Sequence, residues 1–468
     1  MTLPTVLPRG RRTPPAPPRR ARFTLADPLG ALAILSVVAV VALWVMNQGG
    51  PLSLTASDRA TGSLGLLAGL LASDLMILQV VVLARIPWVE RSWGHDLLTR
   101  RRRLLGFASF WLMIAHVVLF AVERTAREPS AQLTALLRLF VTDSWMLCAT
   151  AGTLALIMVV VTSVRAARRR LRYESWHLLH LYSYAGIAAT FPHTFTDGAD
   201  FHETWTRVYW WCLYGFAFAA TLLYRLALPA WRSLRHRLRV ESVVTEAPGT
   251  VSVTLKGHRL DRMRTASGQF FVWRFLDGPG WSRGNPYTLS AAPTPDRLRI
   301  TIKAAGDGSA RAARLTPGTR ALIEGPYGTL TARRRTRPRL LLMAAGIGIT
   351  PMRALIEDTP YGPGEATLVY RYGAEEHAVF ADELRALAAD RGVELILLPG
   401  PRRADTSWQA AGPAHLTDDV QALKNLVPDI EHRDVFVCGP PAWITAVRRA
   451  ARAAGAHRDS VHTEEFAW

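Results

Sequence analysis

Six apolar stretches of membrane-crossing length alternate with clusters of arginine in the first half of the chain, and no other feature limits the fold as much. The stretches run at about 30–47, 63–84, 104–122, 144–164, 176–194 and 206–228. A spanning helix needs about 20 mostly apolar residues, because the hydrocarbon core is about 30 Å thick. No water satisfies the backbone there, so each stretch is predicted to be helical. The arginines fall in alternate connections: six in the tail (9, 11, 12, 19, 20, 22), six after the second stretch (85, 91, 100–103), five after the fourth (165, 168–170, 172) and five after the sixth (225, 232, 235, 237, 239). These are 22 of the 27 arginines in residues 1–240. Basic connections stay on the cytoplasmic side, so both termini are expected there, with the chain in the plasma membrane. Residues 1–28, rich in Pro and Arg, read as a disordered tail that meets lipid through its charge. No small-x-small cleavage site follows Trp44–Gln48, so the first stretch reads as an uncleaved helix rather than a signal peptide.

The 468 residues carry a net charge of +19, of which +15 lies in residues 1–240 and +4 in the rest. That length allows two to four domains. A pI near 10.8 would ordinarily point to nucleic acid, but mean hydropathy is positive at +0.11 and the charge is placed as an orientation signal. No nucleic-acid partner is expected. Three distant cysteines (Cys148, Cys212, Cys438) exclude a disulfide scaffold, a Cys-rich zinc site and a four-Cys iron–sulfur cluster.

Polar residues inside spans are costly and point to function. His116 lies deep in the third stretch, and the fifth holds His177, His180 and His193. Imidazole suits haem iron, and a helix bundle supplies such ligands from facing helices. The competing reading is histidines hydrogen-bonded between helices. His180 and His193 are 13 residues apart, about 20 Å of helical rise, and fall on nearly opposite faces unless Gly186 and Pro192 bend the helix. Asp74 and Gln79, inside the second stretch, fit either a proton path or a buried interhelical hydrogen bond.

Beyond residue 237 the pattern changes. Short alternating runs at Val251–Lys256, Gln269–Phe275, Leu298–Lys303 and Arg320–Glu324, separated by Gly/Pro turns, predict an antiparallel β-barrel over 237–335. Over 338–468, strand-like Leu340–Met343, Thr367–Tyr370, Glu394–Leu398 and Asp434–Val437 alternate with helical Ala381–Arg391 and Ala442–Ala454, a parallel α/β domain. Its first strand runs into Ala344-Ala345-Gly346-Ile347-Gly348-Ile349-Thr350-Pro351. Glycines there let backbone approach a phosphate, Thr350 and Pro351 read as N-cap and first helical residue, and a dinucleotide pyrophosphate suits that helix N-terminus.

Asn285-Pro286-Tyr287-Thr288-Leu289-Ser290, Gly306-Asp307-Gly308-Ser309, the Gly-x-Gly-x-x-Pro turn, Cys438-Gly439-Pro440-Pro441 and Glu464-Glu465-Phe466 occur in that order. This resembles the ferredoxin–NADP reductase module, and with the preceding bundle (29–230) the chain is similar to the NADPH oxidase and ferric reductase family. The resemblance implies a six-helix transmembrane haem bundle, a flavin β-barrel and an α/β nucleotide-binding domain. It implies FAD stacked on Tyr287 and bonded by Thr288 and Ser290, with its pyrophosphate at Gly308 and Ser309. Gly346, Gly348, Thr350 and Pro351 would hold NADPH or NADH, with Arg371, and Arg402 or Arg403, toward a 2′-phosphate. Cys438, Gly439 and Pro440 would border the hydride-transfer site, Glu464 would lie close to it, and Phe466 (or Trp468) would cover the flavin. Haem b would sit between His116 and His193. A second haem would need His180 and a partner 14 residues before His116, where this chain has Arg102, which does not normally ligate iron. The implied activity is transfer of electrons from NAD(P)H through FAD and haem to oxygen or ferric iron. Its competitors are a membrane-anchored flavin reductase with an incomplete haem chain and a non-catalytic haem-binding membrane protein.

Overall fold

The computed structural model describes residues 26–47, 60–93, 95–127, 140, 144–163, 173–196, 203–411 and 418–465. Most of the basic tail, Phe466 and Trp468 lie outside them. The chain divides into two compact units, residues 24–89 with 97–224, and residues 225–468 with 90–96.

In the first unit every predicted stretch falls on a helix: α1 (Ala26–Asn47), α2 (Ala60–Leu83), then after the short α3 (Pro87–Trp93), α4 (His95–Arg127), α5 (Ser144–Ser163), α6 (Tyr173–Thr196) and α7 (Thr204–Thr221). Among the described residues four helical segments are long and apolar enough to cross a membrane: Ala60–Leu83, Leu98–Ala126, Ser144–Ser163 and Thr204–His236. α1 supplies only a shorter apolar run, Gly30–Met46, and α6 is diluted by three histidines, Pro192 and several hydroxyls. The expected six spans therefore exceed what length and composition carry in the structure. Leu104 and Phe107 on α4 are 69% and 66% exposed, an apolar surface suited to lipid.

Helices α1, α2 and α7 share a core of Val40, Trp44, Leu70, Ile77 and Trp210. Asp74 sits within it, fully buried. Its Oδ1 accepts hydrogen bonds from Ser36 Oγ at 2.6 Å and Tyr209 Oη at 3.4 Å, tying α2 to α1 and α7. Of the two readings of Asp74, this is the interhelical hydrogen bond. Helices α5 and α6 meet at glycines. A Cβ on Gly152 would stand 2.7 Å from the Gly186 carbonyl, so only small residues permit that approach.

A π-helical segment, Leu222–Ala227, runs across the boundary into α8 (Leu228–His236) of the second unit. The boundary falls at residue 225 because α8 is tied to a strand of this unit. Ile323 N–H donates to Ser233 Oγ at 3.0 Å, Arg232 donates to the Gly325 carbonyl, and Arg225 pairs with Glu324 at 2.5 Å. The chain then forms β1 (Arg239–Ala247), β2 (Thr250–Lys256), β3 (Phe270–Phe275), β4 (Asn285–Thr288), β5 (Arg297–Lys303) and β6 (Ala321–Tyr327). They make two three-stranded antiparallel sheets, β1-β2-β5 and β4-β3-β6. Single bridges, Leu289–Ile300 and Arg239–Arg320, stitch the two seams. A continuous closed barrel ladder is not what forms; alternating Val253, Leu255, Phe271, Trp273, Ile300 and Ile323 fill one core between the sheets.

Five further strands, β7 (Arg339–Ala345), β8 (Ala366–Tyr372), β9 (Glu394–Pro399), β10 (Arg433–Gly439) and β11 (Val461–Glu465), form a parallel sheet in the order β11-β10-β7-β8-β9. Helices α9 (Ile349–Asp358), α10 (Ala381–Arg391), α11 (Asp419–Leu426) and α12 (Pro441–Ala453) join them. Strand order reverses between β7 and β10. Crossovers there leave to opposite faces and open a crevice at the strand C-termini, where ligands of such sheets bind.

Candidate functional site

The crevice holds the Gly-rich turn. β7 ends at Ala345, residues 346–348 make one 3-10 turn, and α9 starts at Ile349. Gly346 has φ +55° with open space where a side chain would stand. Gly348 has an ordinary φ of −61° but no room: a Cβ would lie 2.3 Å from the Cys438 carbonyl oxygen and 2.8 Å from Gly439 N. The two glycines thus serve different ends, one a left-handed backbone and the other a close approach to β10. The predicted capping is corrected. Gly348, not Thr350, is the N-cap, and Thr350 and Pro351 lie inside the first turn. The 3-10 turn feeds α9 earlier than the Thr-Pro pair implied, and the buried Thr350 hydroxyl donates back to the Ile347 carbonyl at 3.0 Å.

Across the sheet Glu464, Cys438, Ala344 and Tyr370 are in register on neighbouring strands and so share a face. Cys438 is fully buried in the apolar core that includes Leu342, Ala344 and Ile349. Gly439 packs under Trp443, and Pro440 caps α12. Glu464 is 8% exposed, and its Oε2 accepts from Leu330 N at 3.3 Å, which carries β11 to the connection after β6. Arg371, at the end of β8, donates to the Gly400 carbonyl at 3.4 Å. Burial and then the neighbouring Arg402 cation press its guanidinium below the usual arginine value. Arg402, in the loop after β9, donates to the carbonyls of Ser407, Asp405 and Ala442.

On the flavin side Tyr287 lies on β4, its carbonyl fixed by Trp273 Nε1–H at 3.1 Å. Burial pushes its phenol up to about 12, so it stays neutral. Its ring helps line a shallow pocket with Phe275, Arg283, Asn285, Gly308 and Arg311. Arg283 and Arg311 supply the cations of this pocket, beside Asn285. Gly308 approaches Asn285 closely enough that a Cβ would stand 3.3 Å from its Oδ1. Ser309 Oγ accepts from Ala305 N and Gly306 N at 2.8 and 3.1 Å, shaping the turn. Thr288 is buried, and the fully buried Ser290 hydroxyl accepts from Thr301, which bonds in turn to Ser252. Ser290 is thus placed inside the sheet pair, its hydroxyl oxygen accepting from Thr301 and its carbonyl from Arg299.

In the membrane unit the rings of His116 (α4) and His193 (α6) stand with centroids 6.5 Å apart, tilted by 58°. His116 Nδ1 lies 2.8 Å from the Gly65 carbonyl. A carbonyl only accepts, so Nδ1 carries the proton and Nε2 is left with its lone pair. Such a bond orients imidazole ligands of metals. Two imidazoles on opposite sides of one metal, at about 2 Å per bond, place ring centroids about 6.4 Å apart, so the pair fits a shared iron. The side chain of His180 lies outside the described residues. The sequence reading missed Gly65 and Gly69, which frame His116: a Cβ on Gly69 would fall 2.4 Å from its Nδ1. The signal was present as Gly-x-x-x-Gly within an apolar stretch.

The family description "Ferric reductase like transmembrane component" matches residues 68–191, which include His116 and His180 and end two residues before His193. "Oxidoreductase NAD-binding domain" matches residues 342–449. The ferredoxin reductase component of 3-ketosteroid-9-alpha-monooxygenase from Mycolicibacterium smegmatis is 34% identical over 211 residues, 44% of this chain and 57% of that protein. Ferredoxin–NADP reductase B of Sorangium cellulosum is 31% identical over 199 residues, 40% of this chain and 80% of that one. An NADPH oxidoreductase of Mycobacterium tuberculosis is 28% identical over 254 residues, 52% of this chain and 63% of that one. The chain thus spans little more than half the length of the monooxygenase reductase component.

Proposed function

Because the chain belongs to the ferredoxin–NADP reductase family and carries a ferric reductase-like transmembrane component ahead of that module, we propose that it is a membrane enzyme drawing electrons from cytoplasmic NAD(P)H through FAD and haem b to an outer acceptor such as oxygen or ferric iron. The observation that carries this reading is the His116–His193 pair, spaced for one metal with His116 oriented by Gly65. When bound, FAD turns a hydride into single electrons and haem iron passes them on.

The residues have separate tasks. Gly346 and Gly348 open the turn to the nicotinamide dinucleotide's phosphates, at the N-terminus of α9. Arg371 with Arg402 favours a 2′-phosphate, so NADPH over NADH. Tyr287 offers its ring to the flavin, Gly308 and the Arg283–Arg311 pocket its phosphates. Cys438 walls the crevice from below, and Glu464 holds β11 against the flavin module. His116 and His193 would hold the haem. Arg102 supplies no second ligand, so one haem is the reading. The arginine distribution supports cytoplasmic termini.

A second reading follows from the relatives. One is the ferredoxin reductase component of a monooxygenase and another a ferredoxin–NADP reductase, and on that pattern a ferredoxin or oxygenase partner would take electrons from the flavin directly, with the bundle as anchor. Haem and flavin content of the detergent-purified full chain separates the two. One haem and one flavin per chain, with the haem spectrum lost in His193→Ala, supports the first reading; flavin without haem selects the second.

A further inference from the structure

We propose that a charged bracket made of Arg299, Glu383, Arg353 and Glu357 sets the gap between the two cofactor-holding segments, which makes Arg299 and Arg353 positioning residues for hydride transfer. The inference rests on the flavin and nicotinamide reading above. Arg299 stands on β5, in the two-sheet flavin module. Its Nη2 donates to the Ser290 carbonyl at 3.0 Å, and the same guanidinium grips Glu383 of α10 at 3.0 and 3.2 Å. Its plane lies over the Phe380 ring, 4.9 Å from the centroid. Arg353 stands on α9, the helix that opens at the Gly-rich turn, and is 8% exposed. It holds Glu383 Oε1 at 2.5 Å and pairs with Glu357 one turn along. Glu357 Oε2 closes the circuit by accepting from the Ala292 backbone N–H at 2.6 Å.

The segment Ser290–Ala292 is therefore pinned at both ends by the nucleotide-binding domain, at Ser290 through Arg299 and Glu383, and at Ala292 through Glu357. It directly follows the strand that carries Tyr287. The opposite end of the bracket is the helix whose first turn contains Gly348 and Thr350. One set of charges thus fixes both holders against each other, and a shift of either changes the separation of the reacting rings.

Stability alone is a weak account of this arrangement. The carboxylates of Glu383 and Glu357 are about a third exposed, and ion pairs with such solvated partners contribute little net stability. The Nε atoms of Arg299 and Arg353 are each buried with no hydrogen-bond partner, a further cost. Arginine's rigid fork and its stacking on Phe380 fix direction as well as distance, which suits a positioning task.

The test uses the full chain in detergent, mixed anaerobically with NADPH in a stopped-flow spectrophotometer. Arg299→Gln and Glu383→Gln should keep bound flavin and an apparent NADPH dissociation constant within about twofold of wild type. They should lose the long-wavelength nicotinamide–flavin charge-transfer band and slow flavin reduction at saturating NADPH by about 10- to 100-fold, as a misplacement near 1 Å does. Arg299→Lys, which keeps the charge without the fork, should fall between, and it serves if the Gln variants do not fold. Wild-type rate and charge-transfer absorbance in these variants overturn the inference, as does a change confined to the NADPH dissociation constant. A wild-type chain whose bound flavin is not reduced by NADPH or NADH overturns the functional reading, and the bracket's role with it.

Discussion

Gly348→Ala isolates a steric argument from a conformational one. Gly348 has φ −61°, which alanine adopts freely, so any effect comes from contact. The new methyl would stand 2.3 Å from the Cys438 carbonyl oxygen, 2.6 Å from its carbon and 2.8 Å from Gly439 N, all backbone atoms that no rotamer change can move aside. Restoring ordinary contact requires the turn and β10 to part by about 1 Å, and overpacking of that kind costs about 1–3 kcal/mol. The same displacement moves the turn relative to a bound nucleotide, and about 1 Å there lowers turnover by up to about 100-fold. Gly346→Ala is the control. It meets nothing within 4 Å but sits at φ +55°, where a Cβ costs about 1–2 kcal/mol without moving β10. Urea unfolding of the nucleotide-binding module within the full chain, with flavin reduction by NADPH, reads both terms. Gly348→Ala should lose both stability and rate, and Gly346→Ala mainly stability. Wild-type rate and stability in Gly348→Ala would refute the close approach.

Three further outcomes are expected. Gly69→Ala, placing a methyl 2.4 Å from His116 Nδ1, should displace the imidazole and weaken or shift the haem absorption bands while flavin content is unchanged. Arg371→Ala with Arg402→Ala should raise KM for NADPH by about 10- to 100-fold, the worth of one or two charge-assisted bonds, and leave NADH little changed in steady-state assays. Asp434 sets an acid limit. Burial alone would raise its carboxyl, but the bond from His462 and the N–H groups of Arg337 and Thr336 outweigh burial and hold it below the ordinary aspartate value. A depressed carboxylate stabilises the fold fully above its unfolded value, about 3.9, and that contribution is lost as pH falls through its lower folded value. Asp434→Ala should cost about 3 kcal/mol near neutrality, because Thr336, Arg337 and His462 lose their common acceptor, and should flatten the acid arm of a Tm-against-pH profile.

Legibility in the sequence followed the range of the interaction. Hydropathy and arginine placement are local, and each of the six apolar stretches lies on a helix. Alternation located β7 to β10 and, to the residue, the helix Ala381–Arg391. What escaped depended on partners distant in sequence. The last strand, Val461–Glu465, reads as a terminal motif until it pairs with β10. The hydroxyl chain Ser252–Thr301–Ser290 joins residues up to 49 apart and has no local signature. Thr350 looks like a cap because Thr-Pro is a common helix start, yet the preceding turn already begins the helix. The nearness of His193 to His116 depends on how α6 lies against α4, which spacing alone left open. The Arg299–Glu383 pair joins residues 84 apart and has no local signature.

The central claim is that electrons leave NAD(P)H, enter the flavin module and reach an iron held by His116 and His193. Anaerobic stopped-flow absorbance of the full chain, following flavin and haem bands after one addition of NADPH, tests it most directly. The account predicts bleaching of the flavin band, followed by reduction of a single haem per chain, with the second phase abolished in His116→Ala or His193→Ala and the first preserved. A flavin band that bleaches while a bound haem stays oxidised, or a haem reduced equally well in both histidine variants, would contradict it.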